Sequence, residues 1–285
     1  MKRIAYSREH LMAIFKSKQD VKFRLEAIAF CLIVRNDYAA ASINNKDMDY
    51  LRTRMGVGRD KAYKIIRYLV EAGLLRKVAK GYWQLGKLPK HRGNSKNIFI
   101  DGSVGNFSSI NSVVEYLYAV ALQTKRSQMS YMSSLKQMAC GYDGSGKSIL
   151  SAKEVKTARK KLNKLDVPES SLLKNGFDAD LSKHMGQSYN TIANTLGVSK
   201  AKAVYIIDRL VKNNLLTKEK KCKVVYVGAD AANVLKYKFD GSVYTKFGQS
   251  FLFLSKKRNS IVANFSNSYI YNLSGLTSGS TAMYA

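Results

Sequence analysis

The sequence LRTRMGVGRDKAYKIIRYLVEAGLL at residues 51–75 aligns without a gap with IANTLGVSKAKAVYIIDRLVKNNLL at residues 192–216. Each residue lies 141 positions from its counterpart, and ten of the 25 aligned positions are identical. Both copies predict a short helix, a turn at Gly-Val and a longer helix, because Gly adopts the left-handed conformation at a helix end without strain. The identical pairs are Gly56/Gly197, Val57/Val198, Lys61/Lys202, Ala62/Ala203, Ile65/Ile206, Ile66/Ile207, Leu69/Leu210, Val70/Val211, Leu74/Leu215 and Leu75/Leu216.

The second helix of each copy is predicted to be amphipathic. In the first copy it covers residues 59–72, and its apolar residues recur every three or four positions, which gives one buried face. Cations occupy the opposite face. A short helix over Asp47–Met55 precedes it, and a nearly all-apolar helix over 21–36 comes before that, after a helix at 7–19 that Ser7 caps. The helix pair resembles a helix-turn-helix, whose second helix enters the DNA major groove.

Each copy is followed by residues that are typical of a β-hairpin. RKVAKGYWQLGKL predicts strands at 76–79 and 82–85 with a turn at Lys80-Gly81, and TKEKKCKVVYV at 217–227 predicts a second basic hairpin. Three helices followed by a hairpin resemble the winged-helix family, over roughly residues 46–88 and 188–228. The resemblance implies a mostly α fold with small β-hairpins. Tandem winged helices in one basic chain also resemble the architecture of plasmid and phage replication initiators.

The composition favours an anionic partner. Lys and Arg outnumber Asp and Glu 48 to 20, for a formal net charge of +28, which suits nucleic acid first and anionic lipid second. The longest apolar run, Ile28 to Val34, is too short to span a bilayer, and the N-terminus lacks the apolar segment of a signal peptide. Three scattered Cys and three scattered His predict no metal site. We therefore expect a cytoplasmic protein without a membrane partner.

The predicted organisation has five segments. Residues 1–88 form a first winged-helix domain, and 89–105 form a basic linker in which Asn97 to Ile100 could be a short strand. Residues 106–166 give two helices and then a third, in the manner of a degenerate helix-turn-helix. Residues 167–228 form the second winged-helix domain. Residues 229–285 are β-prone, with hairpin turns at Asp240-Gly241 and Lys257-Arg258 and a loose tail.

The residues predicted to contact DNA lie on the second helix of each copy, on the wings and on the third helix of segment 106–166. Arg59 suits a bidentate contact with guanine, and Lys61 and Lys202 suit a phosphate or a purine edge. The same cations also fit a plain solvated helix face. The full set is Arg59, Lys61, Tyr63, Lys64, Arg67, Lys77, Lys80, Lys153, Lys156, Arg159, Lys160, Ser199, Lys200, Lys202, Tyr205, Arg209, Lys218, Lys220, Lys221 and Lys223.

One motif points elsewhere. Gly141 to Ser148 reads GYDGSGKS and matches the phosphate-binding pattern G-x-x-x-x-G-K-[ST]. That loop normally follows an apolar strand, whereas SSLKQMAC precedes it here and is typical of a helix. We interpret it as a glycine-rich loop between helices, with Lys147 able to touch a DNA phosphate. No catalytic constellation is evident, so neither an enzyme nor a cofactor is expected.

The sequence therefore predicts a sequence-specific binder of double-stranded DNA, either at a replication origin or as a transcriptional regulator. A second copy of the chain, or a replication or transcription protein, is a candidate partner. Two alternatives come from other classes. One is a DNA-coating, packaging or virion-associated protein that binds by charge alone, and the other is an ATP-driven enzyme that uses Gly146-Lys147-Ser148.

Overall fold

The computed structural model describes residues 3–38, 42–89, 97–101, 109–141, 150–164, 187–219, 222–238, 251–255, 259–264 and 268–273. The described chain is mostly helical with small antiparallel sheets, as the sequence predicts. The helices are α1 (Arg8–Ser17), α2 (Val21–Asp37), α3 (Asp47–Met55), α4 (Arg59–Glu71), α5 (Ile110–Ala139), α6 (Ala152–Asn163), α7 (Tyr189–Leu196), α8 (Lys200–Lys212) and α9 (Ala231–Lys238). No helix among the described residues is long and apolar enough to cross a membrane.

The strands are short and form four small sheets. They are β1 (Arg3–Ser7), β2 (Ser42–Asn44), β3 (Leu75–Ala79), β4 (Tyr82–Leu85), β5 (Asn97–Asp101), β6 (Leu216–Glu219), β7 (Cys222–Val227), β8 (Phe251–Ser255), β9 (Ser260–Asn264) and β10 (Ser268–Tyr271). The sheet orders are β1-β5, β10-β6, β2-β4-β3 and β7-β9-β8.

The chain divides into two compact units whose bounds differ from the five predicted segments. Unit 1 consists of Met1–Thr124, Tyr189–Leu216 and Tyr271–Ala285, and unit 2 consists of Lys125–Ser188 and Thr217–Ile270. Both duplicated helix pairs, α3–α4 and α7–α8, therefore belong to unit 1. The sequence, by contrast, predicts a separate domain for the second pair, over residues 167–228.

The core of unit 1 is built around α2. Every residue from Leu25 to Val34 is buried, which fits the all-apolar pattern, but this run also contains the carboxylate of Glu26. Helix α1 begins where predicted, because the Ser7 hydroxyl accepts a hydrogen bond from the His10 backbone N–H at 3.2 Å. It packs against α2 through its buried apolar stripe.

The first copy ends in a hairpin, as predicted. Strands β3 and β4 pair across Gly81, which has φ 74°, and β2 adds a third antiparallel strand that brings Ile43 opposite Trp83. Within the predicted linker at 89–105, the short strand that the sequence allows at Asn97 to Ile100 is confirmed, while residues 90–96 and 102–105 lie outside the described residues. Residues 97–101 form β5, which pairs with β1 and places Ile98, fully buried, opposite the fully buried Tyr6.

Segment 106–166 also differs from its prediction of two helices before α6. Residues 110–139 form one continuous helix, because the stretch QTKRSQMS between the two predicted helices contains no Gly or Pro that would interrupt it. Helix α6 forms as predicted, with a capping box between Ser151 and Glu154. Residues 142–149, which carry most of the phosphate-loop match, lie outside the described residues.

The second basic hairpin, predicted over 217–227, is wrong. Strand β6 pairs with β10, and β7 pairs with β9. The reason is that the β-prone C-terminal sequence supplies better partners, since Ile261 in β9 and Tyr269 in β10 are both buried at 1% exposure or less. Strands β8 and β9 form the hairpin predicted around Lys257-Arg258, although the turn itself lies outside the described residues.

Two further predictions concern the C-terminal segment. Residues 231–238 are helical, which corrects the prediction of a β-prone segment over the whole of 229–285. The predicted turn at Asp240-Gly241 and the predicted loose tail lie outside the described residues.

Candidate nucleic-acid interface

The two helix pairs have the same backbone geometry. Gly56 and Gly197 take φ of 65° and 64°, so both turns use the left-handed conformation that the sequence predicts. The next amide bonds back to the first helix in each copy: Val57 N–H to Arg52 O at 3.1 Å, and Val198 N–H to Ala193 O at 3.0 Å. The duplication at sequence level is therefore a duplication of the turn in three dimensions.

The buried faces of α4 and α8 also match. Ala62, Ile65, Ile66 and Leu69 are at most 5% exposed, and their counterparts Ala203, Ile206, Ile207 and Leu210 are at most 4% exposed. This pattern confirms the predicted apolar faces except at Val70, which the sequence places on the buried face of α4 and which is 39% exposed. The remaining positions of each helix are consequently available to solvent.

The outer face of α4 is cationic and aromatic. Arg59, Lys64 and Arg67 are exposed, and the Arg59 guanidinium lies 5.9 Å from the centre of the Tyr63 ring. Asp60 and Glu71 lie on the same face and are also exposed. Arginine and lysine can bond guanine or phosphate, and a carboxylate can accept from cytosine, so this face carries groups of the kinds that read base edges.

Lys61 does not belong fully to that face. Its ammonium lies 2.7 Å from Glu26 Oε1 on α2, and the Glu26 side chain is only 3% exposed. Because a buried carboxylate needs a counter-charge, the contact of Lys61 with Glu26 stabilises the packing of α4 against α2. The side chain of Lys61 is still 41% exposed, so its stem remains at the surface.

The outer face of α8 has a different composition. Lys200, Lys202 and Tyr205 are exposed, and the Lys202 ammonium sits 4.5 Å from the centre of the Tyr205 ring. Ser199 is the N-cap, with its hydroxyl accepting from the Lys202 backbone N–H at 3.2 Å. The hydroxyl of Ser199 thus stabilises the start of α8.

Arg209 links the exposed face of α8 to a buried acid. Its guanidinium donates to the Tyr205 hydroxyl at 3.2 Å and lies 2.5 Å from Glu115 Oε1 on α5. The Asn213 amide donates to the other oxygen of Glu115, which is 7% exposed as a residue. The bond from Arg209, followed by its charge, holds the pKa of Tyr205 below the ordinary value of 10.0.

The sequence interpretation missed Glu26 and Glu115. The signal was present, because each is a lone acidic residue inside a nearly apolar helical run, FRLEAIAF on α2 and SVVEYLYAV on α5. A charge that cannot avoid burial implies a partner on a neighbouring element. The contacts of Glu115 with Arg209 and Asn213 also show that α5 packs against the second helix pair.

The remaining predicted contacts fall into two groups. Lys77 and Lys80 are exposed on the β3–β4 hairpin next to Tyr82, which is 55% exposed. Lys218 is half-buried on β6, Lys220 and Lys221 lie outside the described residues, and the same holds for the side chain of Lys223. The predicted second wing therefore places no described cation on an exposed hairpin.

Helix α6 in unit 2 carries its own basic face. Lys153, Lys156, Arg159 and Lys160 are exposed, while Ala158 and Leu162 pack against Leu135 and Ala139 of α5. Arg159 also donates to the Ala139 carbonyl at 3.2 Å, where α5 ends. Among the described residues, no group of three or more His, Cys, Asp or Glu side chains could hold a metal ion.

Comparisons with protein-family models, curated proteins and solved structures gave no match for this chain.

Proposed function

We propose that the chain is a sequence-specific binder of double-stranded DNA that places α4 and α8 in major grooves. The observation that carries the proposal is the duplicated helix pair, in which equivalent positions are buried and the opposite faces present cations and a tyrosine. In a helix-turn-helix the second helix reads base edges with its N-terminal residues, which here are Arg59 to Tyr63 and Lys200 to Lys202.

The first copy has the element order of a winged helix. Helix α2, strand β2, helices α3 and α4, and the hairpin β3–β4 follow one another, with the sheet order β2-β4-β3. A wing of this kind lies along the DNA backbone, and exposed Lys77 and Lys80 would serve as phosphate contacts. The second copy has the helix pair without this hairpin, so we propose that it binds through α8 alone.

The structural roles of Lys61 and Arg209 refine the set of DNA contacts. Both cations are bonded to buried carboxylates, so we assign them to positioning α4 and α8. Base reading then falls to Arg59, Lys64 and Arg67 in the first copy and to Lys200, Lys202 and Tyr205 in the second. The basic face of α6 would add contacts to phosphates, which carry no sequence information.

The experiment that tests this proposal is selection of binding sites from random duplex DNA, followed by titrations at several salt concentrations. Arg59→Ala is expected to relax the preference at one base position, at a cost of about 1–3 kcal/mol. Lys77→Ala, at an exposed cation of the β3–β4 hairpin, separates the two roles, because loss of a phosphate contact weakens all sequences equally and lowers the salt slope by about one. Lys16→Ala, an exposed cation of α1 outside both helix pairs, is the matched control.

The second candidate function is a protein that coats DNA by charge. The observation that favours it is α6, whose exposed cations share their helix with a single acid, the capping Glu154. A coat predicts that all duplexes bind equally and that affinity follows one common salt curve. For the specific binder, resemblance to plasmid and phage initiators favours a replication origin over a promoter, and mapping the selected site in its genome decides between them.

A further inference from the structure

Gly197 and its counterpart Gly56 share one backbone conformation but have different surroundings. A Cβ atom at Gly197 would lie 3.0 Å from the Phe15 carbonyl oxygen and 3.4 Å from Lys18 Cγ. A Cβ atom at Gly56 would meet nothing within 4 Å. The turn of the second helix pair is therefore pressed against the C-terminal end of α1, while the turn of the first pair is open to solvent.

Helix α1 is itself fixed in the core of the first copy. Leu11, Ile14 and Phe15 are buried, and α1 packs against both α2 and α7. The Phe15 ring lies 5.8 Å from the ring of Tyr118 on α5. Burial, followed by the charge of Glu26 on α2, raises the pKa of Tyr118 to about 12.

The second helices are held to the same core by the two buried acids. Glu26 on α2 binds Lys61 of α4, and Glu115 on α5 binds Arg209 of α8. These contacts and the α1–α7 packing all lie inside unit 1. The separation of α4 and α8 is consequently set by packed helices and is not adjustable through a linker.

The exposed ridges of the two helices also differ. Counterparts along the solvent face are Asp60 and Ala201, Lys64 and Tyr205, and Arg67 and Asp208. Arg67 and Asp208 carry opposite charges, and the ring of Tyr205 stands where the first copy has the cation Lys64. The two exposed faces therefore suit different base pairs. The two helices are not interchangeable readers.

We infer that the DNA partner is one bipartite duplex site with two unlike half-sites and a single permitted spacing, which the α1–Gly197 contact enforces. This inference rests on the proposed function. It deepens that function by excluding a palindromic target for one chain and a target with variable spacing. A domain pair joined by a flexible linker would tolerate changes of spacing.

The test is a spacing series on the site that random selection yields. Two inserted base pairs shift one half-site along the axis and rotate it by about a fifth of a turn, since about 10 base pairs make one turn. Fixed helices should then lose at least tenfold in affinity. Ten inserted base pairs return the moved half-site to the same side of the duplex but place it about 34–36 Å farther along the axis. Affinity should therefore stay at the level of an isolated half-site. A gradual decline, or recovery at ten, overturns the inference.

Gly197→Ala and Gly56→Ala form a matched pair. Both variants add the same strain to a left-handed residue, but only Gly197→Ala pushes on the Phe15 carbonyl. Gly197→Ala should reduce the affinity ratio between the optimal site and the two-base-pair insertion at least threefold, while Gly56→Ala leaves that ratio unchanged. Equal ratios in both variants contradict the role given to this contact.

The outcomes distinguish failure of this inference from failure of the proposed function, sequence-specific binding of duplex DNA. If selection yields no preferred sequence, the proposed function fails. If it yields two half-sites whose spacing is unconstrained, the function stands and only the fixed spacing fails. If Gly197→Ala loses its helical circular dichroism, the spacing series on the unaltered chain decides alone.

Discussion

The two helix pairs share a backbone and an apolar face, yet identical residues in them do different things. Lys61 and Lys202 occupy the same position, but Lys61 reaches the buried Glu26 while Lys202 lies over the exposed ring of Tyr205. The difference comes from the neighbouring helix, since α2 offers a carboxylate at that point. An identity between repeats therefore reports a shared fold more reliably than a shared contact.

Where α4 and α8 end, different residues adopt the same backbone conformation. Gly73 and Asn214 are different residues, but both are left-handed, with φ of 67° and 57°. The next amide makes the same bond in each copy, from Leu74 to Leu69 O and from Leu215 to Leu210 O, both at 2.9 Å. Asn is the residue that replaces Gly most easily in this conformation, so backbone geometry persisted while the side chain changed.

The largest expected effect tests the difference between Lys61 and Lys202. Lys61→Ala leaves the Glu26 carboxylate buried without its closest counter-charge, because Lys22 Nζ is 3.9 Å away and 67% exposed. We expect a loss of about 2 kcal/mol in the free energy of unfolding, below the usual cost of breaking a fully buried pair because Lys61 is partly exposed. Lys202→Ala should change it by less than about 0.5 kcal/mol. Urea denaturation measures both.

A double variant identifies the cause of that loss. Glu26→Gln removes the charge that Lys61 neutralises, so Glu26→Gln with Lys61→Ala should recover part of the stability lost by Lys61→Ala alone. If the two losses simply add, Lys61 acts through packing and the ion pair contributes nothing. Equal losses for Lys61→Ala and Lys202→Ala would remove the distinction between the copies.

The next effect concerns the acid of the second copy. Arg209→Ala removes the guanidinium partner of Glu115, but the Asn213 amide remains bonded to it. We expect a loss of about 1–2 kcal/mol in the free energy of unfolding, smaller than for Lys61. Arg67→Ala, an exposed cation on α4, serves as the control and should cost less than about 0.5 kcal/mol. A loss for Arg209→Ala as small as the control's contradicts the positioning role.

Local pattern sufficed to predict much of the fold of the first copy. Helix α3, the turn at Gly56 and strand β4 fall on the predicted residues, because each is specified by neighbours in sequence: apolar spacing, a glycine and a two-residue turn. The exposed faces of α4 and α8 follow from the same periodicity. This part of the candidate site could be predicted without any tertiary information.

What the sequence did not show depends on contacts between distant segments. Strand β6 pairs with β10 and not with its neighbour β7, and Asn97 of β5 pairs with Ser7 of β1, 90 positions away in the sequence. The pairing of Glu26 with Lys61 likewise joins residues 35 positions apart. Propensity and spacing within one segment carry no information on which remote strand or charge will be adjacent.

A smaller effect on stability is expected at Gly73 and Asn214, the left-handed residues at the ends of α4 and α8. Gly73→Ala and Asn214→Ala should each lower the free energy of unfolding by about 1 kcal/mol, because alanine is strained in the left-handed region. The exchanges Gly73→Asn and Asn214→Gly should change it by less, about 0.5 kcal/mol, since nothing lies within 4 Å of a Cβ atom at Gly73. Thermal unfolding compares the four variants, and a large loss for either exchange would show that the ends of α4 and α8 are not equivalent.

The smallest expected effect lies in the titration of Tyr205. The hydrogen bond from Arg209, and then its charge, hold the pKa of Tyr205 below 10.0, so the phenol ionises before an ordinary tyrosine does. Because the folded pKa is the lower one, ionisation favours the folded state as pH rises through that value, and this small contribution is lost as pH falls through it. Ultraviolet absorbance of phenolate, taken as a difference between the unaltered chain and Tyr205→Phe, isolates this one group.

Arg209→Ala decides whether that titration reports the link between the exposed face and Glu115. Without the guanidinium, the Tyr205 pKa should move back toward 10.0, although the Lys202 ammonium 4.5 Å from the ring still favours the phenolate. Tyr63→Phe is the matched control in the first copy, where the Arg59 guanidinium lies 5.9 Å from the ring centre, the same distance as the Arg209 guanidinium from the ring centre of Tyr205. An unchanged Tyr205 titration in Arg209→Ala would mean that Arg209 does not hold the ring, and that α8 presents Tyr205 independently of its anchor on α5.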